Sequence, residues 1–502
     1  MEKSKLPSLL HNWTSIIGFV LAAATSIIIL FLLGINFIVG IKSPYIGILL
    51  YMILPAFLVL GLLIIPSGMY IRWRQLRNGR ELLFKWPSID LNDNRHWRAA
   101  IIFLLGTSLF ILLSSVGIYQ AYQFTESVVF CGRTCHVVMK PEYTAYQRSP
   151  HARVECVACH IGPGVGWYAK SKLSGMYQVY AVLANVYPRP IPTPISNLRP
   201  ARETCEQCHW PKIFYGGMQR RFDHYLYDKN NSKWPINMLL KVGTGSPLAA
   251  MKSGIHWHVN PDIKVEYTAT DERRQDISWV RVSDKLTGKV TVFHDSSDPH
   301  ATNVIASKSP RVMDCMDCHN RPSHDIHSPD YEIDLEISSG GIASTIPEVK
   351  QAAVTAMTNN YASDADAMNG IALAMNDFYR TNYPQLYSVR SSEINTAVKA
   401  TQKAFQQNIF PAMKARWFDY PNNIGHFIFK GCMRCHDGKH KSDEGLIIPN
   451  DCHTCHIILE QGNSGPTETV NMETGQQFRH PVDIGMAWQS TGCYECHSGA
   501  HP

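Results

Sequence analysis

The amino-acid sequence predicts a mainly α chain with little regular structure, in which three transmembrane helices precede a long polar region built around seven Cys–His motifs, with a small β insertion. Three observations carry this reading. Residues 13–41, 43–71 and 99–125 contain no Asp, Glu, Lys or Arg, and each exceeds the roughly 20 residues a helix needs to cross a bilayer. All fourteen cysteines fall in C-x-x-C-H or C-x-x-x-C-H units. Residues 263–294 alternate apolar and polar positions, the period of half-buried strands.

The apolar stretches come first and define a membrane anchor over residues 1–125. Lys3 and Lys5 precede the first of them, as in a cleaved signal peptide, but the run is far longer than such a segment and a second span follows at once. Between the second and third spans lie Arg72, Arg74, Arg77, Arg80, Lys85, Arg95 and Arg98 against Glu81, Asp90 and Asp93. The positive-inside bias assigns this loop to the cytoplasm. The N-terminus is then cytoplasmic, the turn at Lys42 external, and everything from about Glu126 lies outside the cytoplasmic membrane. The net charge of +6 owes much to that loop, so it carries no argument for nucleic-acid binding.

The cysteines specify the chemistry. They pair as Cys131/Cys135, Cys156/Cys159, Cys205/Cys208, Cys315/Cys318, Cys432/Cys435, Cys452/Cys455 and Cys493/Cys496, and each pair is followed at once by His136, His160, His209, His319, His436, His456 or His497. C-x-x-C-H is the attachment unit of c-type haem, with two thioethers and an axial imidazole. Zinc would gather the cysteines into four-ligand sites, and an odd number of units, each with its own histidine, fits that badly. Disulfides in an exported chain leave the repeated histidine unexplained. Seven covalently bound c-type haems are the expectation, which makes the polar region a multihaem c-type cytochrome.

Motif spacing divides that region. Four motifs lie within residues 126–330 and three within 421–502, a tetrahaem domain and a C-terminal trihaem module. Within the first, "IKVEYTAT", "ISWVRV" and "KVTVFH" predict a β insertion at about 225–300. The gap, 331–420, contains "EVKQAAVTAMTNNY" and "SEINTAVKATQKAFQQ", whose apolar spacing predicts a helical connector. "VYPRPIPTPISNLRP" reads as an extended strap.

Beyond the motif histidines, and His11 and His96 on the cytoplasmic side, thirteen others could supply sixth ligands: His151, His224, His256, His258, His294, His300, His324, His327, His426, His440, His453, His480 and His501. Supply exceeds demand, so bis-histidine ligation is expected at most haems, which suits electron transfer because neither axial position is left for substrate. His256 and His258 would share a face of an extended segment, with one on an iron and the other supporting it or serving a neighbour. The spans contain no histidine. Transmembrane b-type haem is thereby excluded, and any quinol chemistry is confined to the outer boundary of the membrane, near the first motif. Lys140, Glu142, His151, Lys170 and Lys172 are the ionisable groups close to it in sequence; each could equally be a solvated interfacial charge.

"CGRTCHVVMKPEYTAYQRSPHARVECVACHIGPG", "RPARETCEQCHWP" and "CMDCHNRPSH" resemble, in that order, the four motifs of the NapC/NirT family of membrane-anchored quinol dehydrogenases, over about residues 100–330. Seven haems on three spans are most similar to an inner-membrane cytochrome of metal-reducing bacteria that passes quinol electrons toward periplasmic and extracellular acceptors. The resemblance implies menaquinol as substrate, periplasmic c-type cytochromes as acceptors, and a weakly ligated first haem beside the quinol. Met139 matches the family's axial Met one residue late, after a motif one residue long, so either His136 or Met139 takes that iron. His324 is implied as distal ligand of the second haem and His151 of the third. Lys172 stands where relatives carry a quinol-site lysine, with Gln178 where an acid is expected.

The expectation is a heptahaem cytochrome that oxidises menaquinol at the outer face of the cytoplasmic membrane and relays the electrons onward. Its rivals are a passive anchored carrier fed by another membrane complex, or built as a homo-oligomer, and a terminal reductase acting on a small oxyanion at an open haem.

Overall fold

A computed structural model describes residues 9–500 apart from 11, 40–52, 79–89, 91, 135–136, 163, 196–198, 211–213, 215, 246–253, 299–308, 463–470 and 472–473. The chain divides into two units, Met1–Ser127 with His160–Val179, and Val128–Cys159 with Tyr180–Pro502.

In the first unit, helices α1 (Trp13–Val39) and α2 (Leu54–Arg77) pack on each other. Small residues allow the approach: a Cβ on Gly61 would stand 2.8 Å from the Ala22 nitrogen, and one on Gly18 would stand 2.9 Å from the Gly61 carbonyl oxygen. The Ser15 hydroxyl donates across to the Ile65 carbonyl at 3.1 Å, the kind of contact that holds helices together where water is absent. Among the described residues these two helices are long and apolar enough to cross a bilayer. The second is displaced from its expected bounds and runs on through Arg72, Arg74 and Arg77. The expected third span lies inside α3 (Asn94–Glu126), whose first turn is capped by the Asp93 carboxylate accepting from the Arg95 N–H at 2.8 Å. Several side chains of α3 fall outside the described set, so two such helices are found rather than three.

Past the first motif come α4 (Lys140–Arg148) and α5 (Val165–Leu183). The helical connector follows as α6 (Pro329–Ser338), α7 (Val349–Thr358), α8 (Asp364–Asn382) and α9 (Pro384–Asn408). Local chemistry starts these helices: Ser328 and Ser363 accept the N–H groups of Tyr331 and Asp366, and Pro329 and Pro384 occupy first turns, where a missing N–H costs nothing. Ile333, Val354, Met357, Ile371, Met375, Tyr379 and Phe405 meet in a fully buried core. Tyr187 and Ile191 of the proline-rich strap pack against it.

The β insertion is larger than expected and is not self-contained. A three-stranded sheet orders β1 (Gly217–Tyr225), β2 (Lys233–Lys241) and β8 (His456–Gln461); a five-stranded sheet runs β6 (Arg311–Val312), β3 (Ile263–Ala269), β4 (Ile277–Asp284), β5 (Val290–Asp295) and β7 (His440–Ser442). Strands β7 and β8 come from the C-terminal module. The tetrahaem and trihaem stretches are therefore woven through shared sheets.

Candidate functional site

Each regular motif is one tight turn. The N–H groups of His209, His319, His436 and His497 donate to the carbonyls of Cys205, Cys315, Cys432 and Cys493 at 2.8, 2.8, 3.1 and 2.9 Å. The turn brings the first cysteine, the second and the histidine to one side within five residues. The first motif departs in the way its extra residue requires: Phe130–Thr134 forms a π turn, one residue wider than an α turn. Gly132 is obligatory there, because a Cβ would stand 2.2 Å from the Tyr143 ring. Arg133 lies over the same ring and donates to its hydroxyl at 3.1 Å. Cys135 and His136 lie outside the described residues. Met139 is half-buried, and its carbonyl opens α4 by accepting the Tyr143 N–H at 2.8 Å.

Five motif histidines each face a second imidazole. Ring centroids are 6.1 Å apart for His209 and His151, 6.2 Å for His319 and His256, 5.8 Å for His436 and His258, 6.2 Å for His456 and His426, and 6.0 Å for His497 and His480. An iron held at about 2 Å by a nitrogen from either side places two imidazole centroids roughly 6 Å apart. The Nδ1–H groups of His151, His256, His258, His436 and His480 donate to the carbonyls of Pro322, Val242, Ile255, Pro449 and Val482, which leaves each Nε2 for the metal. Burial lowers His258 and His456 to about 4 and also lowers His319, His426, His436 and His497. These imidazoles are neutral, the form a metal binds.

The thirteen described cysteines form no disulfide, and among the described residues no group of three or more His, Cys, Asp and Glu converges as a metal cage. Zinc and disulfide readings therefore find no support there, whereas thiol turns with facing imidazoles fit haem. The cysteines also order the motifs. Cys131 hydrogen-bonds Cys156 and Cys205 hydrogen-bonds Cys315. Electrostatic contact joins Cys159 to Cys208, Cys318 to Cys432, Cys432 to Cys455, and Cys452 to Cys493. Each motif thus neighbours the next one in sequence, from first to seventh.

The remaining predicted residues divide. His324 donates through Nδ1 to the Glu142 carbonyl at 3.1 Å, with a Glu142 carboxylate oxygen at 3.3 Å, and Arg321 holds that carboxylate at 3.2 Å. His440 needs correction as a candidate ligand: it is buried in β7 with Nδ1 on Asp437 and Nε2 on the Ile277 carbonyl, both at 3.0 Å, so neither nitrogen is free for iron. His224 contacts Asp334 at 3.4 Å, His327 contacts Glu332 at 2.8 Å, and the Nε2 of His453 bonds the Thr474 carbonyl. His294 has a buried Nδ1 with no hydrogen-bond partner. His160 closes the Cys156–His160 turn. Lys140 pairs with Asp364.

In α5, Lys170 is exposed with its ammonium 5.3 Å from the Trp167 ring centroid, and Gln178 donates to Ser174 at 3.4 Å. The side chain of Lys172 lies outside the described set, as do His300 and His501. The helix also exposes Leu173, Met176, Tyr177, Tyr180 and Leu183.

Sequence reasoning missed the groups that bolt motifs together. Asp317, inside the fourth motif, accepts from Tyr267 at 2.6 Å, Arg311 at 2.8 Å and Arg274 at 3.2 Å. Arg434, inside the fifth, donates to the Asp317 carbonyl at 2.7 Å. The only signal was their charge at variable motif positions.

Residues 93–190 match the model of the NapC/NirT cytochrome c family, N-terminal region. Over its whole length the chain is 44% identical to the cytochrome c-type protein ImcH of Geobacter sulfurreducens, covering 97% of that protein. No solved structure matches. The chain belongs to the NapC/NirT cytochrome c family and is a multihaem c-type cytochrome with at least two apolar N-terminal helices.

Proposed function

From that membership we propose that the chain is a three-span, seven-haem cytochrome of the cytoplasmic membrane, with its haem region on the outer side, that oxidises menaquinol beside its first motif. Electrons pass along the motifs in sequence order to a soluble c-type cytochrome. The observation that carries this reading is the unbroken succession of neighbouring motifs, five of them with facing imidazoles. When bound, haem supplies one-electron chemistry at each motif. The chain's residues do the rest: paired imidazoles occupy both axial positions and keep substrates off, and backbone carbonyls hold the rings in place. His151, His256, His258, His426 and His480 are the proposed distal ligands of the third to seventh motifs, and His324 that of the second. Both His256 and His258 are used, which shares one short turn between the fourth and fifth sites.

The exposed apolar side chains of α5 with Lys170 beside them suit a helix at a lipid surface, where a quinol head would be met. A quinol surrenders two electrons and two protons, and Lys170, Lys172 and Gln178 are the proposed groups of that site. Glu142 is withdrawn from it, since its carboxylate serves Arg321 and His324.

That withdrawal favours, as a second reading, a passive carrier fed by another membrane complex. The deciding test is anaerobic addition of a reduced menaquinol analogue to the purified protein, followed by haem absorbance with and without a quinone-site inhibitor. Rapid, inhibitor-sensitive reduction is expected; no reduction, with a normal response to dithionite, would establish the carrier.

A further inference from the structure

The loop 478–488 carries His480, whose ring faces His497 of the last motif. It is braced from within: the Phe478 ring lies 5.8 Å from Trp488 and 6.4 Å from His480. The same loop turns Val482, Ile484 and Met486 into solvent, with 60%, 40% and 59% of their surfaces exposed. They border a shallow cleft of about 270 Å³ lined also by Arg479 and Asp483. Exposed apolar side chains grouped in this way mark a surface that is covered by a partner for part of its time. Asp483, Glu495 and Cys496 are exposed on the same motif and loop.

Charge indicates which partner. Residues 421–502 hold nine carboxylates against five Lys and Arg, although the whole chain is +6. We infer that loop 478–488 is the docking surface for a soluble electron-carrier protein whose own apolar contact patch is ringed by lysines. This deepens the relay reading and rests on it. Apolar contact holds the pair briefly at the small end of interface sizes, and opposite charge raises the encounter rate.

The test uses the full-length, haem-loaded protein in detergent, reduced with dithionite, with excess reductant removed. It is mixed in a stopped-flow instrument with an oxidised lysine-rich monohaem cytochrome c or with an oxidised acidic plastocyanin. The expected result is faster transfer to the basic carrier, slowed by salt, and about a tenfold slower second-order rate in an Ile484→Ser/Met486→Ser variant. Val482 is left intact because its carbonyl holds His480. Asp483→Lys is expected to flatten the salt dependence with the basic carrier. Unchanged haem spectra and midpoint potentials in both variants would assign the effect to docking. Wild-type rates in both variants, or preference for plastocyanin, would overturn the surface. If the wild-type protein delivers electrons to neither carrier, the relay reading itself fails.

Discussion

The helical connector and the motif-bearing stretches solve the same problem with different materials. In α6–α9 the side chains of Ile333, Ile371, Tyr379 and Phe405 are wholly buried on one another, so the polypeptide supplies its own core. Around the motifs, cysteines and facing imidazoles stand half-buried in short turns, spaced for a group that is not polypeptide. The contrast teaches that one chain folds part of itself by its own hydrophobic contacts and the rest around its cofactors, much as small metallo-domains do.

The largest break in that comparison comes from denying the chain its haems. Expressed without haem attachment, it should keep amide-exchange protection in residues 349–408 and lose it across the turns of 205–209 and 432–456. Equal loss everywhere would show that the connector depends on the cofactors too. Next in size is the buried cation of the connector. Lys350 is 2% exposed and its ammonium meets Asp330 at 2.6 Å and Asp334 at 2.7 Å. Lys350→Met strands two buried carboxylates and should cost about 3–5 kcal/mol, read as a lower denaturant midpoint in far-UV circular dichroism. Ligand substitutions sharpen the other side. His258→Ala should convert one haem to a high-spin spectrum and leave the His256 site low-spin, while His440→Gln should leave every haem low-spin; the reverse pattern would sink the pairing.

Smaller effects follow from single carboxylates. Glu142→Gln removes the charge from beside His324 and should raise one haem midpoint potential modestly, with quinol reduction intact. Glu332 loses hydration through burial, yet His327 and Arg148 together hold it below the ordinary value of 4.5. A carboxyl lowered on folding contributes stability above its unfolded pKa and loses it as pH falls through the folded value. Acid should therefore loosen the α4–α6 link below about pH 4.5, and Glu332→Gln should remove that pH dependence at the price of lower stability near neutrality.

Much of this molecule was legible in its sequence because the signals are local. A haem attachment unit spans five or six residues, an apolar helix announces itself by composition, and the connector by its period. The strands of 263–294 were also legible, but β7 and β8 were not: His440–Ser442 and His456–Gln461 are too short, and too crowded with motif residues, to show alternation. They form because β5 and β2 offer open edges to them. His440 misled for the same reason, since in sequence it is one more histidine beside a motif, and only the strand buries it with both nitrogens satisfied.

The sequence by itself determined where haem attaches, that the N-terminal region is apolar enough for a membrane, and that imidazoles outnumber irons. Tertiary structure alone decided which imidazoles face each other and which motifs are neighbours. His209 meets His151 and His436 meets His258 across 58 and 178 positions of chain. Thioether attachment is a covalent matter of adjacent residues; an axial pair is a long-range contact, and its distance is set by how sheets, turns and the connector pack.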